Sequence, residues 1–75
     1  MKITLKCFAT LAPHLPDNAD EFPIEPNETV VSVAQRIGIA PDEINLIFVN
    51  SARAYLETEL QDGDRLGLFP AVGGG

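Results

Sequence analysis

Three consecutive glycines, Gly73, Gly74 and Gly75, end the sequence, and their type and position suggest a specific chemistry. Because glycine has no Cβ, a glycine arm can enter a narrow channel with a carboxylate at its tip. Residues 71 to 75 could extend about 17 Å from a folded body. Ordering glycines costs more backbone entropy than ordering other residues, so a binding partner has to offset that cost. Once activated, for instance by adenylation, the carboxylate would become an acyl donor in another protein's active site. A frayed terminus is the alternative.

The other side chains offer little for a catalytic or metal site. The chain has one cysteine, Cys7, and one histidine, His14, whereas a structural zinc site or an iron–sulfur cluster takes about four ligands. No Ser–His or Cys–His pairing is visible, and residues 73–75 lack the lysine and the following helix of a phosphate-binding loop. An independent enzyme is therefore the least favoured interpretation, and we expect no bound metal or cofactor.

Composition and charge narrow the class of protein. The 75 residues leave room for one domain, and 45% hydrophobic with 21% charged residues is typical of a globular protein. A net charge of −6 argues against nucleic acid binding and favours a basic protein partner, or simply solubility. No apolar run approaches the roughly 18 residues of a membrane span, and the N-terminus lacks a signal-peptide pattern. We therefore expect a cytoplasmic protein that binds no membrane.

Alternation of apolar and polar residues predicts the strands. In residues 2 to 9, Ile3, Leu5 and Cys7 point towards a core while Phe8 points outward. Residues 21 to 26 are predicted to form a short strand that lies at a sheet edge or is irregular at Pro23, because proline has no N–H to donate. Further strands are predicted at residues 44 to 50, 54 to 56 and 65 to 69, and a loop at residues 10 to 20.

One helix is predicted between the second and third strands. Thr29 can act as its N-cap, and Gly38 suits a left-handed C-cap before Pro41. One apolar stripe recurs at helical spacing: Val30, Val33, Ala34 and Ile37. A helix crossing a mixed sheet of four or five strands is the simplest way to bury these faces.

This order of elements and several motifs resemble the MoaD/ThiS family of ubiquitin-like sulfur carriers. That family contains the molybdopterin synthase small subunit and the sulfur carrier of the thiamine pathway. The matching segments are residues 6–9 (KCFA), 29–33 (TVVSV), 48–50 (FVN) and 60–75 (LQDGDRLGLFPAVGGG). The resemblance implies an α+β, ubiquitin-like β-grasp domain over residues 1–70 and a flexible tail over residues 71–75. Ala71 departs from the family pattern, where a second proline is usual, and Arg53 stands where several relatives have an apolar contact residue.

The resemblance also implies a function. An E1-like adenylating enzyme would use ATP to adenylate the Gly75 carboxylate, and a cysteine desulfurase or rhodanese would supply sulfur to make a thiocarboxylate. The chain would then be a cosubstrate or small subunit, with the catalytic side chains on its partners. Gly73 and Gly74 would allow threading into an active site. An apolar patch would dock the partners through these residues: Phe8, Phe69, Pro70 and Val72.

Several acceptors and roles stay open at this point. The Phe-Pro pair at residues 69 and 70 and the chain length favour molybdopterin synthesis, for the molybdenum or tungsten cofactor, together with the large subunit of molybdopterin synthase. Thiamine thiazole or amino-acid biosynthesis is the alternative for a sulfur carrier. A protein-conjugation tag or a non-covalent ubiquitin-like interaction module is the alternative of another class.

Overall fold

A computed structural model of the chain describes residues 1–71. The predictions for Val72, Gly73, Gly74 and Gly75 lie outside these residues. The strands and the α-helix are β1 Lys2–Cys7, β2 Phe22–Pro23, α1 Val30–Arg36, β3 Ile44–Val49, β4 Ala52–Ala54 and β5 Arg65–Pro70. Short 3₁₀ helices lie at Ala9–His14, Ala19–Glu21 and Pro41–Glu43.

The five strands form one mixed sheet in the order β2-β1-β5-β3-β4. The neighbouring strands β1 and β5 are parallel, and the other pairs are antiparallel. Strand β2 lies at an edge of the sheet, so Pro23 breaks no ladder between two neighbours, as predicted. A mixed sheet with one main helix is the predicted β-grasp arrangement.

The core lies on one face of the sheet. Ile3 and Leu5 of β1 and Leu66 and Leu68 of β5 point to this face, and each is almost completely buried. Val30, Val33 and Ala34 of the apolar stripe are buried in the same cluster, and Ile37, the C-cap residue, packs against it partly buried, which confirms the predicted helix face. Valine is a mediocre helix former, so packing on the sheet supplies much of the stability of this two-turn helix. We refer to the opposite face of the sheet as the outer face.

Both ends of α1 are capped as the sequence predicts. The Thr29 hydroxyl accepts a hydrogen bond from the Ser32 amide at 3.4 Å. At the other end, Gly38 has a φ of +87°. Its amide donates to the Gln35 carbonyl, and the Ile39 amide donates to the Ala34 carbonyl at 2.9 Å. This pair of bonds is a Schellman motif, which satisfies carbonyls that the helix end would otherwise leave unpaired.

Two segments differ from the sequence-based expectation. The predicted loop over residues 10 to 20 contains two 3₁₀ helices that bury Leu11 and Ala19, because short i→i+3 turns are compatible with proline and asparagine. Strand β4 begins at residue 52 rather than 54. Asn50 and Ser51 both have positive φ, so they form a two-residue hairpin turn and the chain pairs with β3 at once.

A buried carboxylate, Glu28, ties α1 to the β2 edge. Its carboxylate accepts hydrogen bonds from the Ser32 hydroxyl at 2.7 Å and the Arg36 guanidinium at 2.9 Å, and from the Glu25 amide. The same guanidinium donates to the Pro23 carbonyl and lies 4.6 Å from the centre of the Phe22 ring. Burial alone would raise the pKa of the Glu28 carboxyl, but these hydrogen bonds and the Arg36 charge together lower it.

Replacing Gly38 by alanine should lower the free energy of unfolding by about 1 kcal/mol, because the left-handed φ is unfavourable for a side chain. The new Cβ would lie 3.7 Å from His14 Nδ1, an ordinary contact, so backbone strain is the cause. Denaturant unfolding measures the change. A Gly38→Ala variant as stable as the wild type would contradict the role of the Schellman motif.

Glu28→Gln should lower the free energy of unfolding by about 1–2 kcal/mol at pH 7, since it removes charge-assisted hydrogen bonds at a buried site. The folded-state pKa of Glu28 is lowered, so its contribution is fully present above the ordinary glutamate pKa of about 4.3 and is lost as the pH falls below it. Urea unfolding of the wild type and of Glu28→Gln between pH 7 and pH 3 should therefore show that their difference in the free energy of unfolding becomes smaller as the pH falls. A difference independent of pH would contradict this account.

Candidate functional site

Three phenylalanines meet on the outer face and form what we call the aromatic cluster: Phe8, Phe48 and Phe69. The rings of Phe8 and Phe69 are stacked, with centroids 4.3 Å apart and planes inclined by 6°. Phe48 meets Phe69 edge-on, with centroids 5.7 Å apart and planes inclined by 82°. Both geometries are favourable for aromatic pairs. Phe8 is nonetheless 41% exposed, so the cluster is an apolar surface rather than a second core.

Strand register places the three rings side by side although they are distant in sequence. Phe48 pairs with Gly67 across the β3–β5 ladder, and Phe69 lies two residues further along β5 on the same face. Phe8 follows β1, and its amide donates to the Leu68 carbonyl at 3.1 Å. Ala9 then takes a φ of +52° and turns the chain away. Phe8 therefore continues the strand alternation and points outward, as predicted.

Gly67 forms the floor beneath the Phe8 ring. A Cβ built at this position would lie 3.5 Å from Phe8 Cε2 and 3.9 Å from Phe69 Cε1. Only hydrogen atoms of the glycine lie between the strand and the rings, so the Phe8 ring can cover β5 closely. Beside the cluster is a shallow groove of about 460 Å³, whose wall also includes Lys6, Ser51 and Arg65. This groove and the aromatic cluster together are the candidate docking surface.

The candidate docking surface lies close to the point where the tail departs. Strand β5 carries Phe69, ends at Pro70 and is followed by Ala71. The Ala71 amide still donates to the Glu43 carbonyl at 2.9 Å, which fixes the direction of the chain at its last described residue. The boundary predicted between residues 70 and 71 stays a prediction.

The structure brings together two of the four residues predicted for docking, Phe8 and Phe69. Pro70 is buried on the core face of β5 and pairs with Ile44, so it does not contribute to the outer surface. The reason is strand alternation, which points residues 66, 68 and 70 inward. Sequence reasoning missed Phe48. Its outward direction was predictable from the pattern of β3, but its position beside Phe69 depends on the pairing of β3 with β5.

Cys7 has a structural position, because its side chain is buried in the core. Burial raises the pKa of the Cys7 thiol, which keeps the thiol neutral. Among residues 1–71, no group of three or more His, Cys, Asp or Glu side chains could hold a metal ion. Within the same residues, no helix is both long enough and apolar enough to span a membrane.

Comparison with known proteins agrees with this fold. The model of the ThiS family matches residues 5–75. The crystal structure of SAMP1 from Haloferax volcanii is similar over 100% of both chains, with a TM-score of 0.69 and 25% sequence identity. No curated protein matches the chain. The similarity to SAMP1 over the full length of both chains confirms the predicted ubiquitin-like β-grasp fold.

Gly67→Ala tests the packing of the cluster. Because Gly67 has no positive φ and the new Cβ would make only ordinary contacts, we expect the free energy of unfolding to stay constant or rise by about 0.5–1 kcal/mol. The matched variant Gly63→Ala, at a φ of +86° with open space around it, should instead be destabilised. Thermal and denaturant unfolding of the two variants measures this contrast. A clear loss of stability in Gly67→Ala would show that the rings are packed more tightly than described.

Proposed function

The chain belongs to the ThiS family, and on that premise we propose that it is a sulfur carrier that is activated at the Gly75 carboxylate. The match of the family model through residue 75, which includes the three glycines, is the observation that carries this proposal. The aromatic cluster supports it, because it supplies an exposed apolar surface close to the point where the tail departs.

The proposed chemistry has two steps, both at the terminal carbonyl carbon. An E1-like adenylating enzyme joins a Gly75 carboxylate oxygen to the α-phosphorus of ATP and releases pyrophosphate. Hydrosulfide, or its equivalent from a cysteine desulfurase or a rhodanese, then attacks the carbonyl carbon. The carbon–oxygen bond to AMP breaks, AMP leaves, and a thiocarboxylate remains. If the donor is a protein persulfide, a thiol reductant must afterwards cleave the acyl disulfide.

The folded body positions the carboxylate and supplies none of the catalytic groups. Four residues follow Ala71, and four residues can reach at most about 14 Å. Adenylation at residue 75 therefore requires the partner to bind the body within that distance of its active site. A partner that contacts Phe69 and Phe8 would meet this requirement, since Phe69 lies two residues before Ala71.

For the acceptor we propose a pterin precursor in molybdenum or tungsten cofactor synthesis, with the carrier bound to a molybdopterin synthase large subunit. The support is the segment that leads into the tail, Phe69-Pro70-Ala71-Val72, which resembles the Phe-Pro-Pro-Val pattern of that branch. In this role the protein is a cosubstrate and not an enzyme.

The proposal predicts a thiocarboxylate on residue 75. The chain of residues 1–75 is incubated with ATP, an E1-like adenylating enzyme that charges a known carrier, and a sulfur donor, and its intact mass is then recorded. We expect exchange of one oxygen for sulfur, located at Gly75 by fragmentation or thiol-selective labelling. This location matters because oxidation of Met1 or Cys7 gives nearly the same mass change.

Deletion of Gly74 and Gly75 provides the matched control, because it removes the Gly-Gly end and leaves the body of residues 1–71 intact. The deletion variant should bind the adenylating enzyme but acquire no sulfur. If the wild-type chain stays unmodified while the known carrier is charged, the sulfur-carrier proposal is contradicted. An amide bond from residue 75 to a lysine would indicate a conjugation tag, and binding without any modification would indicate a non-covalent module.

A further inference from the structure

The charges of this acidic chain are unevenly distributed between the two faces. The chain has 5 basic and 11 acidic residues. Strand alternation points Lys2 and Lys6 of β1, Arg53 of β4 and Arg65 of β5 to the outer face, and all four are exposed. Within residues 1–71, none of the strand positions on that face is an Asp or a Glu. The charged strand positions of the outer face are thus all cationic, although the whole chain is anionic.

Three of these cations, Lys6, Arg53 and Arg65, surround the aromatic cluster. Lys6 is the register partner of Gly67, the floor of the cluster, and Arg53 is the register partner of Phe48. Lys6 and Arg65 also line the groove beside the cluster, and among residues 1–71 no carboxylate lines it. The surface therefore has an apolar centre with positive charge on its sides.

These cations are available to a partner. The two ion pairs found within residues 1–71 join Lys2 to Glu21 and Arg36 to Glu28, so neither involves the three cations beside the cluster. The Arg53 guanidinium lies 5.4 Å from the centre of the exposed Tyr55 ring, a contact that leaves its hydrogen-bond donors free. Without these three cations, the chain would have 2 basic residues, both paired, and 11 acidic ones.

We propose that the outer face docks on a protein surface whose apolar centre is bordered by carboxylates, and that this surface belongs to the adenylating enzyme. The inference rests on the proposed function and adds the sign of the partner's charge. The net charge of the chain favoured a basic partner, whereas the outer face fits an acidic surface. Complementary charges of this kind accelerate association and select an orientation. The rest of the chain repels an acidic surface, so such a partner is attracted only to the face beside the tail.

Single-stranded nucleic acid is the competing occupant, because it also binds aromatic rings among cations. The geometry of the cluster disfavours it. Phe8 and Phe69 are stacked on each other at 4.3 Å, so one face of each ring is already occupied and cannot stack on a base. The net charge of −6 also opposes binding of a phosphate backbone.

The test measures association rates with the E1-like adenylating enzyme of the same organism, by stopped-flow fluorescence at several salt concentrations. The variant pair is Lys6→Gln with Arg65→Gln, singly and combined. Lys2→Gln is the matched control, because it removes the same charge from the same strand. Lys2 lies about 13 Å from Lys6, beyond the screening length of about 8 Å at physiological salt, and Glu21 already neutralises it.

We expect the combined variant to associate about three- to tenfold more slowly at low salt and to show a weaker dependence on salt. Lys2→Gln should stay within about twofold of the wild type. All these side chains are exposed, and circular dichroism spectra should confirm that each variant is folded.

Four results would overturn the inference. Unchanged or faster association of the combined variant would show that the partner surface is neutral or basic. Binding of an oligothymidylate that depends on Lys6 and Arg65 would assign the face to nucleic acid. Failure of the wild-type chain to bind the adenylating enzyme at all would overturn the inference together with the proposed function. Normal thiocarboxylation, with the salt dependence of association unaltered in the combined variant, would overturn the inference alone.

Discussion

The structure depends on the pairing register of β5, which lies between β1 and β3. Successive residues of β5 face opposite sides of the sheet. Leu66 and Leu68 are completely buried in the core, whereas Gly67 and Phe69 form the floor and centre of the aromatic cluster. A shift of one residue would exchange these two sets and expose the core residues. The burial that stabilises the fold therefore also fixes the candidate docking surface and the point at which the tail departs.

The charged side chains also have different roles on the two faces of the sheet. On the helix side, the exposed Arg36 guanidinium pairs with the buried Glu28 carboxylate, so their contribution is to the stability of the fold. On the outer face, Lys6, Arg53 and Arg65 have no ion pair within residues 1–71 and surround apolar rings. A partner that supplies carboxylates and apolar side chains would complete this surface, and the neighbouring tail would then be presented to the same partner. The net charge of −6 by itself favours a basic partner or simply solubility, because it averages over both faces.

The sequence predicts those features that depend on local chemistry. Thr29 and Gly38 mark the ends of α1, and strict alternation assigns the core positions of β1 and β5, because capping and strand periodicity act over a few residues. Features that depend on strand pairing were missed: Phe48 was not assigned to the site because its neighbour Phe69 is known only from the ladder. Pro70 was assigned to the docking patch, whereas strand alternation continues through it and buries it on the core face. The side-chain network of Glu28 was missed because the sequence does not show that Arg36, at the far end of α1, reaches back to the Glu28 carboxylate and to the Pro23 carbonyl.

Mapping of the bound surface by NMR distinguishes docking through the outer face from docking through the helix side. The ¹⁵N-labelled chain is titrated with its adenylating enzyme in the presence of ATP, and the amide signals are followed. We expect the largest changes on the outer face and at the start of the tail, at residues 6–8, 48, 53, 65, 67, 69 and 71. Signals of α1 should change little, since that element lies on the opposite face of the sheet. Changes confined to Val30–Arg36, with the outer face unaffected, would contradict the assignment of the docking surface.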